Sequence, residues 1–138
     1  VFMDPVDNPF NCVDRLLAEQ EGKYDLCVCD VHAEATSEKA AFARYFDGRI
    51  QVIFGTHTHV QTADECLLSK GSGFITDIGM CGPVDSILGI KPEPVIKNFV
   101  TRIHDRFEAG EGEIKLCGAV FEINTQTKAV TSVKRIIY

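Results

Sequence analysis

Apolar positions along the chain switch between a helical and an extended period. After Asn8-Pro9, the residues Phe10, Val13, Leu16, Leu17 and Ala18 recur at helical spacing. Asn8 suits a helix N-cap, Pro9 the first helical position, and Gly22 the far end. The run Tyr24–Val31 is apolar and bounded by Asp, which predicts a buried strand. A second helix is predicted from Thr36 or Ser37, which could cap it, with Glu38 at the positive end of its dipole. It carries Ala40, Ala41, Phe42, Ala43, Tyr45 and Phe46 and ends at Asp47-Gly48. Ile50–Phe54 predicts a second buried strand, stopped by Gly55.

Beyond Gly55 neither period holds: Thr56–Asp64 is polar. Glu65–Leu68 and Phe74–Thr76 flank Ser69–Gly73, a hairpin signal. Asp77–Gly89 is a Gly-rich loop that either makes tight turns or turns its N–H groups toward an anion. Pro92 opens a third helix with Val95, Ile96, Phe99 and Val100. Ile114–Asn124 and Ala129–Tyr138 flank Thr125–Lys128 and predict a long antiparallel pair. The order predicts an α/β fold, a mixed sheet with an antiparallel C-terminal strand pair. With 138 residues, 45% of them hydrophobic, a single domain over residues 1–138 is expected.

Charge and composition narrow the partners. Fourteen basic against 20 acidic residues give a net −6, which argues against a nucleic-acid polymer as ligand. No run approaches the ~18 apolar residues of a membrane span. Val1–Phe10 lacks the basic start and apolar core of a signal peptide. The chain opens on Val1, so a processed end or a piece of a longer protein is expected. The six cysteines show no CxxC or Cys/His zinc spacing and are expected as reduced, mostly buried thiols in a cytoplasmic protein.

The candidate chemistry lies in the histidines. His32, His57 and His59 sit at or just beyond the carboxyl ends of the first two predicted strands, where open α/β sheets bind ligands. Histidines separated by one residue in an extended loop project to one side, and Gly55 permits a tight, close-approaching backbone. Imidazole with carboxylate suits ions of the manganese, iron and zinc type. Ligating imidazoles need partners on their second nitrogen, and Asp30, Glu34, Thr58, Asp64 and Asp77 lie near the same edge. His104, without such neighbours, is expected to be structural or solvated.

Three blocks carry a family likeness: Asp30–Lys39 (DVHAEATSEK), Gly55–Asp64 (GTHTHVQTAD) and Ile75–Pro83 (ITDIGMCGP). They resemble the YmdB-like family, calcineurin-like metallophosphoesterases described as 2′,3′-cyclic-nucleotide phosphodiesterases. The resemblance runs from Pro5 to the last strand and covers only the C-terminal half of such a protein. It implies half of an α/β/β/α metallophosphoesterase sandwich with two divalent ions, iron or manganese, at the sheet edge. It implies that His32 and His57 ligate one ion and His59 the other. The bridging carboxylate, the Asn ligand and the general-acid histidine would come from the N-terminal half. The implied activity is hydrolysis of a small cyclic nucleotide or phosphodiester by water activated between the ions, with this chain alone inactive. Cys66 and Cys81 depart from the family's pattern without touching an implied ligand.

Half a sandwich leaves apolar surface uncovered, so the missing N-terminal half or self-association into a homo-oligomer is expected. Two readings compete with the enzyme: a metal- or nucleotide-binding module, and a scaffold without chemistry.

Overall fold

The computed structural model describes residues 6–138. The sequence readings that fall on residues 1–5, including the Pro5 limit of the likeness, lie outside them. In chain order the elements are α1 (Pro9–Glu19), β1 (Val28–His32), α2 (Thr36–Tyr45), β2 (Val52–Thr56), β3 (Cys66–Leu67) and β4 (Gly73–Ile75). Then follow β5 (Cys81–Pro83), α3 (Pro92–Thr101), β6 (Ile114–Ile123) and β7 (Val130–Ile137). A four-stranded sheet has the order β1-β2-β4-β3, and a three-stranded sheet the order β5-β6-β7. Strands β1, β2 and β4 run parallel, β3 antiparallel to β4, and the second sheet is antiparallel throughout. The α/β fold with a mixed sheet and an antiparallel C-terminal pair is as expected.

Local chemistry accounts for the elements. The Asn8 side chain accepts the Phe10 N–H at 2.9 Å, which satisfies one of the free donors at the start of α1. Phe10 then packs on Phe42, Tyr45 and Phe46, with ring centroids 5.5, 5.5 and 6.3 Å away. Phe42, Ala43 and Phe46 of α2 form the core with Ile50, Ile53, Leu68 and Phe74. Each large apolar side chain there contributes roughly 1.5–3 kcal/mol through burial. The second sheet closes on β4: Val130 N–H donates to Gly71 O at 2.8 Å, and Phe121, Val130 and Val133 lie over Gly73.

Five expectations are corrected. Strand β1 is a half-exposed edge strand rather than a buried one, because among the described residues only β2 pairs with it. Gly55 does not stop β2, which continues to Thr56 with Gly55 opposite Val31. Neither Thr36 nor Ser37 caps α2; Ala35 holds the cap position and no side chain caps it. The loop after Asp77 contains β5, where Pro83 is tolerated because β5 is an edge strand. The six cysteines are all free, but only Cys117 is buried; Cys66 and Cys81 are exposed. Among the described residues no helix is long and apolar enough to cross a membrane.

Candidate metal centre

Parallel pairing brings the carboxyl ends of β1 and β2 side by side. His32 ends β1, Thr56 ends β2, and the two are register partners. The chain then turns off the edge through His57, Thr58 and His59. His57 has φ 107° and His59 φ 65°, both in the left-handed region. A side-chain-bearing residue held there costs about 1–3 kcal/mol, so surrounding contacts must enforce it.

The hydrogen bonds fix how the imidazoles face. Thr56 Oγ1 donates to Asp30 Oδ1 at 2.7 Å, so its oxygen accepts from His32 Nδ1 at 2.9 Å. His32 therefore keeps its proton on Nδ1 and turns the lone pair of Nε2 outward. His57 Nε2 donates to Glu34 Oε2 at 2.6 Å, which leaves a lone pair on Nδ1. That Nδ1 lies 3.2 Å from His32 Nε2, with ring centroids 5.0 Å apart at 77°. With one proton on each ring, the two imidazoles would aim lone pairs at one another. Only a cation between them, a proton or a metal ion, makes the contact favourable.

The donor pair fits a metal ion. Two nitrogens each ~2.1 Å from one ion, in neighbouring coordination positions, sit ~3.0–3.4 Å apart, which brackets the observed separation. The remaining sphere is not assembled. Among the described residues no group of three or more His, Cys, Asp or Glu side chains is gathered to hold a metal ion. Glu34 lies on the far nitrogen of His57 rather than beside the facing pair.

Behind the imidazoles lies a polar frame. Lys39 and Asp77 are both fully buried and pair at 3.2 Å. Lys39 Nζ also donates to Thr56 O at 2.9 Å. Asp77 Oδ2 accepts the Thr58 N–H and Oδ1 the Gly79 N–H, each at 2.9 Å. Asp64 accepts from the Thr62 hydroxyl at 2.6 Å and from the Thr76 amide and hydroxyl. Gln61 Nε2 donates to Ile78 O, Gly118 O and Ile136 O, which ties the histidine loop to the second sheet.

The predicted residues therefore divide. His32 and His57 come together; Glu34 touches His57 directly, and Asp30 supports His32 through Thr56. His59 is exposed and takes no part in that contact. Thr58, Asp64 and Asp77 hold the loop and its neighbour rather than an imidazole. His104 is exposed, as expected. Lys39, Thr56 and Gln61 were not foreseen. A lysine directly before the apolar Ala40–Ala43 run of α2 was the available signal for Lys39. Burial pushes the Cys29 thiol up to about 11, helped by Cys27 and Asp30, so it offers no ready nucleophile.

Acid sensitivity follows from the frame. Burial raises the Asp77 carboxyl, but donation by the Thr58 and Gly79 amides, the Thr58 side chain and Lys39 outweighs it and holds the group low. Asp64 is likewise raised by burial and lowered further by Thr62 and Thr76. Both titrate below the unfolded carboxyl value of about 3.9, so their stabilisation is full above that pH and vanishes as pH falls through the native values. Asp64→Asn is expected to be less stable than the parent in urea at pH 7, with the gap closing below about pH 4. A gap unchanged down to pH 3 would refute this.

Fold and site together define an α/β protein with paired imidazoles at the carboxyl edge of parallel strands. Within that class the chain belongs to the YmdB-like protein family, whose model matches residues 1–136. It is 48% identical over 136 residues to the 2′,3′-cyclic-nucleotide 2′-phosphodiesterase of Bacillus subtilis (strain 168), covering 99% of this chain and 52% of that protein. A crystal structure of a hypothetical protein from Thermus thermophilus matches with TM-score 0.90 and 39% identity over 99% of this chain and 53% of that one. The crystal structure of a novel phosphatase from Mycoplasma pneumoniae matches with TM-score 0.90 and 40% identity over 100% of this chain and 50% of that one. The chain spans about half the length of the relatives it matches.

Proposed function

We propose that this chain carries part of the site of a metal-dependent phosphodiesterase acting on small phosphodiesters in the cytoplasm, 2′,3′-cyclic nucleotides foremost. One observation carries it: the 3.2 Å approach of His32 Nε2 to His57 Nδ1, with the outer nitrogens already tied to Thr56 and Glu34. The name of the Bacillus relative supports the substrate class. His32 and His57 hold one divalent ion, iron or manganese, and His59 a second, with further ligands from outside this chain. When bound, such ions draw charge from the phosphoryl oxygens and lower the pKa of water.

This chain's own residues do the positioning. The Asp30–Thr56 pair fixes the His32 proton on Nδ1, and Glu34 fixes that of His57 on Nε2. Neutral imidazoles leave the charge of the ions uncancelled, so a phosphodiester anion is drawn to the edge despite the chain's −6. Exposed Ile114 and Leu116 on β6 and Phe99 and Val100 on α3 support association, with the rest of such a protein or with a second copy in a homo-oligomer.

The test is manganese titration by calorimetry together with a cyclic-nucleotide assay. The chain is expected to bind Mn²⁺, and His57→Ala and His32→Ala to lose that binding. By itself it should turn over no 2′,3′-cyclic nucleotide above the His57→Ala level. In a longer protein that carries it, His57→Ala should lower kcat/KM by more than about a hundredfold, beyond the range of a change to a ligand's supporting partner. Equal Mn²⁺ binding by parent and both variants would overturn the proposal.

A further inference from the structure

We propose that Lys39 is a positioning residue for the imidazole pair, acting through the peptide on both sides of His57; this rests on the metal-site reading above. The buried ammonium grips the carbonyl of Thr56, the residue before His57, at 2.9 Å. Through Asp77 it also grips the amide of Thr58, the residue after it: Lys39 Nζ to Asp77 Oδ2 is 3.2 Å, and Thr58 N to the same oxygen is 2.9 Å. His57 is suspended between these anchors at φ 107°. The hydroxyl of Thr56 in turn receives His32 Nδ1. One cation therefore lies at the root of both imidazoles.

Stability alone does not account for such a residue. Apolar side chains of similar volume commonly replace a buried ion pair with no loss, so burying one here points to geometry as what it provides. Its path is built for it as well. A Cβ on Gly55 would lie 2.5 Å from Lys39 Cδ, so β2 carries no side chain where the lysine stem passes. The ammonium is wholly enclosed and its bonds go to the loop backbone and Asp77, so it places groups and does not react.

The experiment uses the chain with Lys39→Met and Asp77→Asn combined, which strands no charge. Circular dichroism and a urea melt establish that it folds. The first measurement needs no metal: imidazole and amide ¹⁵N spectra. The parent is expected to show the His32 Nδ1–H and His57 Nε2–H tautomers; the double variant should show mixed tautomers and displaced His57 and Thr58 amides. The second is Mn²⁺ titration, where the double variant should bind about ten- to a hundredfold more weakly, the range of a lost supporting partner. Lys97→Met, which breaks the exposed Lys97–Asp105 pair, should leave both measurements at parental values.

A folded double variant with the parent's tautomers and affinity overturns the proposal. If the double variant does not fold, Lys39→Met alone takes its place with the same expectations, since the Thr58 and Gly79 amides still donate to the Asp77 carboxylate. If the parent binds no Mn²⁺, the metal reading falls, and the tautomers decide the role of Lys39: mixed ones sustain it, unchanged ones overturn it.

Discussion

Asp77→Ala is expected to cost about 3–5 kcal/mol of folding stability, because it strands a buried ammonium. Lys39 and Asp77 are both sealed from solvent, and the carboxylate also serves the Thr58 and Gly79 amides. Removing it leaves Lys39 with Thr56 O alone and two amides without their acceptor. Against a total stability of about 5–15 kcal/mol for a domain of this kind, that loss is about a fifth or more. The half-exposed Lys97–Asp105 pair is the comparison, since such a pair contributes about 0–1 kcal/mol. Urea denaturation of Asp77→Ala and Asp105→Ala side by side checks this. Midpoint shifts of equal size would show that the buried pair carries no such weight.

The contrast between these two aspartates also marks what could be read without coordinates. Period and punctuation placed α1, α3, β6 and β7 to within a few residues, because Asn8-Pro9, Pro92 and Thr125–Lys128 are local signals. The imidazoles were placed correctly at the sheet edge, since strand ends and histidines are both visible in a sequence. Partnership was not visible. Whether Asp30, Asp64 or Asp77 faces an imidazole depends on which strand ends are neighbours and on the pleat. Asp30 and Thr56 meet across the β1–β2 edge, whereas Asp77 turns inward to Lys39. The short β5 was missed because its pairing lies with β6, more than 30 residues on, and its sequence holds a proline. Strand β1 was misjudged for a related reason: an apolar run does not say how many neighbours it has.

Gly55 was read as a stop and is instead a crossing point, which gives the second large effect. Its φ is not in the left-handed region, so the requirement is space. A Cβ there would lie 1.8 Å from Thr76 O and 2.5 Å from Lys39 Cδ. The carbonyl cannot swing aside freely, because Gly55 O accepts the Ile78 N–H at 3.0 Å and Thr76 is itself buried. Gly55→Ala is therefore expected to cost about 3–5 kcal/mol, at or above the upper range for overpacking. Gly73 offers the contrast. Its Cβ would meet Phe121, Val130 and Val133 at 2.8–2.9 Å, but these are side-chain tips that can shift, and about 1–3 kcal/mol is expected. Gly22, with nothing near it and φ 74°, should lose only about 1–2 kcal/mol from its left-handed backbone. Thermal and urea melts of the three alanine variants test the order. Where Gly55→Ala still folds, the displaced Lys39 stem should also weaken Mn²⁺ binding, which Gly22→Ala leaves untouched. A Gly55→Ala chain as stable as Gly22→Ala would mean that β2 and the Thr76 carbonyl are free to part, and that the lysine does not depend on that passage.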